Sequence, residues 1–146
     1  MFENFDEKTK ELYYQAMLEQ GYSQLAAELV TNPGDMRICE NHNAFGLIDG
    51  HCGDTMMVWI QVENGRIVDA SYHTDGCLDS IAAGGLVISL VKGKTLQEAL
   101  EIDRQSVFDA LGRVSGEGGQ CAILALKQAI NSYLSNEEGS TCEEKC

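Results

Sequence analysis

The sequence predicts an α+β domain in which helices flank a small antiparallel sheet of about three strands. Three observations carry this. Two stretches, Thr55 to Glu63 and Arg66 to Thr74, alternate apolar and polar residues and are joined by Asn64-Gly65, the strongest short hairpin signal. Before them, apolar residues recur at helical spacing over residues 5–30. After them, runs rich in Ala, Leu and Ile are punctuated by helix start and stop signals as far as Leu134.

Taken in order, Leu12, Ala16, Leu18, Leu25, Ala26 and Leu29 mark helical spacing, and Gly21 divides the run into two helices. The first, about residues 3–20, offers Phe5, Leu12, Tyr13 and Ala16 as a face to bury. Asn32-Pro33-Gly34 ends the second, because the residue before proline avoids the α region. Residues 34–43 read as a loop. It carries Cys39 and His42, taken as an exposed, unengaged pair in preference to a metal pair. Ala44 to Ile48 is a short strand, interrupted by Gly50-His51-Cys52-Gly53-Asp54. The next strand sets Met56, Val58, Ile60 and Val62 on one face and Met57, Trp59 and Gln61 on the other. The third sets Val68, Ala70 and Tyr72 on one face.

Thr74-Asp75-Gly76 supplies turn chemistry, and Cys77 falls at or near the first turn of the helix that follows. Unpaired N–H groups and the positive end of the macrodipole favour an anion there, so a thiol tends toward thiolate, the form that binds metal and attacks sulfur. Ala82, Ala83, Gly84 and Gly85 weaken the helix but allow close approach. Gly93 terminates it, and Thr95 with Glu98 has the capping-box pattern of a short helix to Glu101. Another helix spans Ser106 to Leu111. Gly112 to Gly119 reads as a flexible loop, and Gln120-Cys121 opens a final helix with Leu124, Ala125, Ile130, Tyr133 and Leu134 as its apolar stripe. From Ser135 the chain is a polar tail carrying Cys142 and Cys146.

A chain of 146 residues with 44% apolar content suits one domain with an ample core. The net charge of −13 argues against nucleic acid and anionic membranes, which would repel it. It is compatible with a basic protein partner or with cations. No run of 18 apolar residues exists, and the acidic start lacks the basic region of a signal peptide, so a cytoplasmic protein is expected. Six cysteines in a reducing compartment favour metal or catalytic use over a disulfide framework. Cys52 sits in a glycine-flanked turn, and Cys77 and Cys121 each open a helix. In an α+β layering such element ends can converge at one edge, and Asp54 can aim a carboxylate at the same point. Three thiolates and a carboxylate make a tetrahedral metal set suited to zinc, and thiolates also select iron–sulfur clusters.

Several motifs then stand in a specific order. They are Tyr22-Ser23, Asn32-Pro33, Cys52-Gly53-Asp54, Tyr72 to Cys77, Ser80 to Ala83, Val91 to Ala99 and Cys121 to Ala125. Over residues 21–134 this series resembles the IscU/NifU N-terminal family of iron–sulfur cluster assembly scaffolds. The resemblance implies an IscU/NifU-N-like fold with helices over one side of the sheet. It implies that Cys52, Cys77 and Cys121 hold a nascent, transient cluster, [2Fe–2S] or [4Fe–4S], with Asp54 as a labilising ligand or neighbour. It implies a cysteine desulfurase as sulfur donor, acceptor apo-proteins as recipients and a carrier role without turnover. The oligomeric state is not legible in the sequence, and a homodimer is one assembly to test. On this basis residues 1–20 are an N-terminal extension helix, 21–134 the scaffold domain and 135–146 a polar tail.

The sequence departs from the family at four points. Gln120 stands where the family has a histidine beside the third cysteine. Arg113 to Gly119 replaces the proline-containing segment that a dedicated chaperone grips. The N-terminal helix is additional, and so are Cys142 and Cys146. The absent histidine favours a second reading, a SufU-like zinc-dependent sulfurtransferase with zinc on Cys52, Asp54, Cys77 and Cys121. The spacing from Cys77 to Cys121 opposes it, because it has the shorter, IscU-like length. A purely structural zinc domain is the third, and it would more naturally use Cys or His than Asp as fourth ligand.

Overall fold

The computed structural model describes residues 6–49, 55–76, 78–111 and 116–137, with the side chains of 116–119 and 136–137 set aside. Two helices come first, α1 (Glu7–Glu19) and α2 (Gln24–Thr31). Asp6 caps α1 by accepting from Thr9 N–H, and Ser23 caps α2 by accepting from Ala26 N–H. The face α1 buries differs from the expected one. Met17 is 1% exposed, and Tyr14 and Leu18 pack against the core, whereas Leu12 is 65% exposed and Tyr13 41%. Positions 14, 17 and 18 form an apolar stripe as narrow as 12, 13 and 16, and the core built by the other elements selects it. Phe5 lies outside the described residues.

Strands β1 (Ala44–Asp49), β2 (Thr55–Glu63) and β3 (Arg66–Thr74) form an antiparallel sheet in the order β1-β2-β3. The hairpin turn is Asn64-Gly65, with φ of 54° and 76°, the two positive angles a type I′ turn requires. The expected faces of β2 hold: Met56, Val58, Ile60 and Val62 are buried together on the core side. On β3, Val68 was expected inside and is exposed. The reason is a bulge. Val62 pairs with Ile67 and Gln61 with Asp69, so Val68 is the extra residue and Ile67 takes the core position.

Helix α3 (Leu78–Val91) and helix α6 (Gly116–Glu137) cover the core face, and the short helices α4 (Leu96–Leu100) and α5 (Arg104–Leu111) lie between them in the chain. Two glycines set how closely the layers approach. A Cβ at Gly46 of β1 would collide with the Ala125 carbonyl oxygen and lie 2.9 Å from Ala129 N, so α6 lies directly on the strand. A Cβ at Gly84 of α3 would lie 2.5 Å from the Tyr72 ring, so the small-residue segment receives an aromatic ring. Thr95 and Glu98 form the expected capping box. α6 starts at Gly116, within the stretch expected to be a loop; residues 112–115 lie outside the described residues. Burying the apolar side of a 22-residue helix outweighs the low helix propensity of its glycine-rich start. As a result Cys121 does not open the helix but lies beyond its first turn.

Segment 35–43 crosses the opposite face of the sheet. Tyr72 N–H donates to Asp35 O at 3.0 Å, and Asn43 exchanges two hydrogen bonds with the Val62 backbone at 2.8 and 2.9 Å. His42 and Phe45 pack beside the Trp59 ring, with centroids 6.4 and 5.5 Å away.

Candidate functional site

The corner where β2 begins and β3 ends is held by side chains. Thr74 Oγ1 donates to the Thr55 carbonyl at 2.6 Å, and Thr55 N–H donates to Asp75 Oδ1 at 2.9 Å. Gly76 N–H donates to Thr74 Oγ1 at 3.1 Å, and Thr55 Oγ1 donates to Asp49 Oδ1 at 3.1 Å. Asp49, Thr55 and Gly76 are therefore tied into one corner. The sequence pattern indicated a turn at Thr74-Asp75-Gly76 but not that Asp75 caps the neighbouring strand. That link depends on the register in which Met56 faces Thr74.

The start of α3 is fixed from two directions. Tyr72, with no exposed surface, donates from its hydroxyl to Ile81 O at 3.0 Å. Burial, together with the Asp35 carboxylate, pushes its pKa up, so it stays a donor. Tyr22 Oη donates to Asp79 Oδ1 at 2.5 Å. The adjacent Ser23 N–H donates to Leu111 O at 3.2 Å and its Oγ to Ala110 O at 3.3 Å. Tyr22-Ser23 thus bridges the first turn of α3 and the end of α5.

Of the site residues expected from sequence, Cys121 is described: it is 8% exposed and belongs to the apolar core between helices and sheet. Cys52, Asp54 and Cys77 lie outside the described residues, as do Cys142 and Cys146. Among the described residues, no group of three or more His, Cys, Asp and Glu side chains could hold a metal ion. Gln120 is exposed, and its Oε1 accepts a hydrogen bond from Arg104 Nη1 at 3.0 Å. A lone arginine opening a short helix carries no motif, so nothing in the sequence singles out Arg104.

His42 is exposed as expected, but Cys39 is buried and both are engaged, which corrects the sequence reading. Cys39 is 1% exposed, and its thiol donates to Asp69 Oδ2 at 3.5 Å. His42 Nδ1 lies 2.6 Å from the Cys39 carbonyl. Burial pushes the Cys39 pKa up and the Asp69 charge adds to the effect, so the group stays a thiol. Burial also acts to raise Asp69. Hydrogen bonds from the Arg37 guanidinium at 2.9 Å, from Ala70 N–H and from Cys39 outweigh it and hold the carboxyl below its usual range. The lone cysteine in a loop gave no sign of this, because its partner comes from the bulged strand.

Residues 21–139 match the NifU-like N terminal domain family. The chain belongs to that family. It is 34% identical over 117 residues to iron–sulfur cluster assembly scaffold protein IscU 1 of Archaeoglobus fulgidus, covering 77% of this chain and 76% of the relative. It is 32% identical over 119 residues to the scaffold protein IscU of Aquifex aeolicus, with the same coverage of 77% and 76%. With nitrogen fixation protein NifU of Azotobacter chroococcum it shares 32% identity over 130 residues, 85% of this chain and 42% of that protein. Two solved structures share the fold. One is a NifU-like protein (N-terminal) from Brucella abortus, with TM-score 0.58, 17% identity, and 81% of this chain and 95% of that one covered. The other is a putative scaffold protein for the SUF system from Fervidobacterium islandicum, with TM-score 0.57, 19% identity and coverage of 76% and 95%. The three strands are those the sequence pattern anticipated, and helices cover the core face of the sheet as the family resemblance implied. Among the described residues, no helix is long and apolar enough to cross a membrane.

Proposed function

We propose that this chain is a scaffold on which iron–sulfur clusters are assembled and from which they are transferred, the cluster being its cargo. Cys52, Cys77 and Cys121 would supply thiolates and Asp54 a harder oxygen ligand or neighbour. The observation that carries the reading is the corner of Asp49, Thr55, Thr74, Asp75 and Gly76. Asp54 is bonded to Thr55 and Cys77 to Gly76, and consecutive Cα atoms are about 3.8 Å apart. Hydrogen bonds that hold Thr55 beside Asp75 therefore limit how far apart the first two cysteines can attach. The family relatives named as cluster scaffolds support the same reading.

Three thiolates with one carboxylate bind less permanently than four thiolates, which suits a protein that must release what it binds. Sulfur would arrive from a cysteine desulfurase. A scaffold thiolate attacks the outer sulfur of the donor's persulfide, a new S–S bond forms, the donor's S–S bond breaks, and the donor leaves as a thiolate. An external reductant then supplies two electrons to bring that sulfur to sulfide. The product is handed to acceptor apo-proteins.

Anaerobic reconstitution with ferrous iron and sulfide tests this. Bound iron, acid-labile sulfide and visible absorbance are measured on the full chain and on single Cys→Ser variants. Cys52→Ser, Cys77→Ser and Cys121→Ser should each abolish stable loading, whereas Cys142→Ser and Cys146→Ser should not. Asp54→Ala should load, transfer more slowly to an acceptor and persist longer in air. A tail cysteine as essential as Cys77 would refute the site. The absence of a histidine at position 120 favours the SufU-like sulfurtransferase as the second reading. A colourless protein that holds one zinc, fails to load a cluster and accepts persulfide sulfur would establish that reading in place of the first.

A further inference from the structure

The proposed chemistry requires Cys121 to meet incoming sulfur and iron, yet its side chain is 8% exposed in the core. α6 begins Gly116-Glu117-Gly118-Gly119, immediately before Gln120 and Cys121. Glycine is the least favourable helix residue after proline, by about 1 kcal/mol relative to alanine, and the first turn of any helix lacks intrahelical partners for its N–H groups. The turn that supports Cys121 is therefore intrinsically weak. A tie outside the helix reaches it, since Arg104 Nη1 donates to Gln120 Oε1 at 3.0 Å across the α5–α6 cleft. Arg104 is itself set in place, because Asp103 caps α5 by accepting from Ser106 N–H at 2.9 Å and from Ser106 Oγ at 2.8 Å. Arginine does not titrate in the physiological range, so this donor is always present.

We propose that Arg104 is a positioning residue that controls how often Cys121 is presented. Its hydrogen bond to Gln120 latches the glycine-rich start of α6 onto α5. When the latch releases, that turn unwinds and the thiol becomes reachable. The residue that replaces the family's histidine thus serves as the catch of a latch. The inference rests on the scaffold reading for its purpose, but the device can be measured without any metal or sulfur.

The experiment is alkylation of the metal-free full chain by iodoacetamide at neutral pH. Modification of the tryptic peptide from Val114 to Lys127, which contains Cys121 and no other cysteine, is followed by mass spectrometry. Arg104→Ala and Gln120→Ala should each speed alkylation about fivefold, the population change expected from losing one exposed hydrogen bond of ordinary strength. The double variant should be no faster than either single one, because both remove the same bond. Arg104→Lys, which can still donate, should recover most of the slow rate. Leu124 lines the same cleft without bonding Gln120, and Leu124→Ala, which keeps both cleavage sites of the peptide, should leave the rate unchanged. Circular dichroism and melting temperature check that each variant is folded, and a simple loss of fold would speed Cys39 equally. Unchanged rates when Arg104 or Gln120 is replaced by alanine, additive effects in the double variant, or an equal response to Leu124→Ala would each overturn the proposal. If the latch fails this test and cluster loading still depends on Cys121, the scaffold reading stands alone.

Discussion

Replacing Gly46 by alanine should be among the most damaging single-methyl additions to this protein. The added carbon would collide with the carbonyl oxygen of Ala125, 2.9 Å from the backbone nitrogen of Ala129 and 3.1 Å from the Ala125 carbonyl carbon. These are backbone atoms of a buried helix, so no side-chain rotation can relieve the overlap. Ordinary contact needs about 3.5 Å, so α6 would have to back off by roughly 1 Å along its contact with β1. Ala125 and Ala129 have no exposed surface, and neighbouring Ala122, Leu126 and Ile130 are equally buried, so that retreat loosens much of the core. Overpacking of this kind costs about 1–3 kcal/mol, and a purely backbone obstruction puts it at about 3. For a chain of this size that is a melting temperature lower by about 10 °C. Gly34→Ala is the control: nothing lies within 4 Å of its added carbon and its backbone is outside the left-handed region, so stability should hold or rise slightly. Thermal unfolding by circular dichroism compares the two. A Gly46→Ala protein melting within about 2 °C of the parent would show that α6 does not lie where the argument puts it.

The buried face of α1 predicts that Met17→Ala lowers stability by about 2–5 kcal/mol while Leu12→Ala stays within about 0.5, measured by urea unfolding. Equal effects would mean that the helix is not docked as described. Asp69 carries a pH dependence. Its carboxyl titrates below the usual range in the fold, so its contribution is present above the unfolded value of about 3.9 and disappears as pH falls through the lower folded value. Asp69→Asn should therefore lower stability at neutral pH and flatten the acid-side decline below about pH 4. Urea midpoints measured across that range would show a parallel shift instead if Asp69 titrated normally.

The period-2 alternation of β2, the Asn64-Gly65 turn and the capping box at Thr95 are all visible in sequence, because each depends on residues within one element or one turn. The motif series from Tyr22 to Cys121 likewise pointed to the family that residues 21–139 match. What the sequence misjudged depends on partners distant in the chain. Val68 leaves the core because a bulge forms against Gln61 and Val62. α1 turns residues 14, 17 and 18 inward because a core built by other elements selects that stripe. Cys39 is buried because the bulged strand presents Asp69 to it. The glycines before Gln120 read locally as a loop, and they become helix because the apolar stripe behind them docks on β1 and the local cost is small against that burial. Local propensities and short motifs are carried by neighbouring residues and can be read in order. The face a helix buries, the register that bulges and the depth at which a thiol sits are set by packing between elements, and only the assembled tertiary structure decides them.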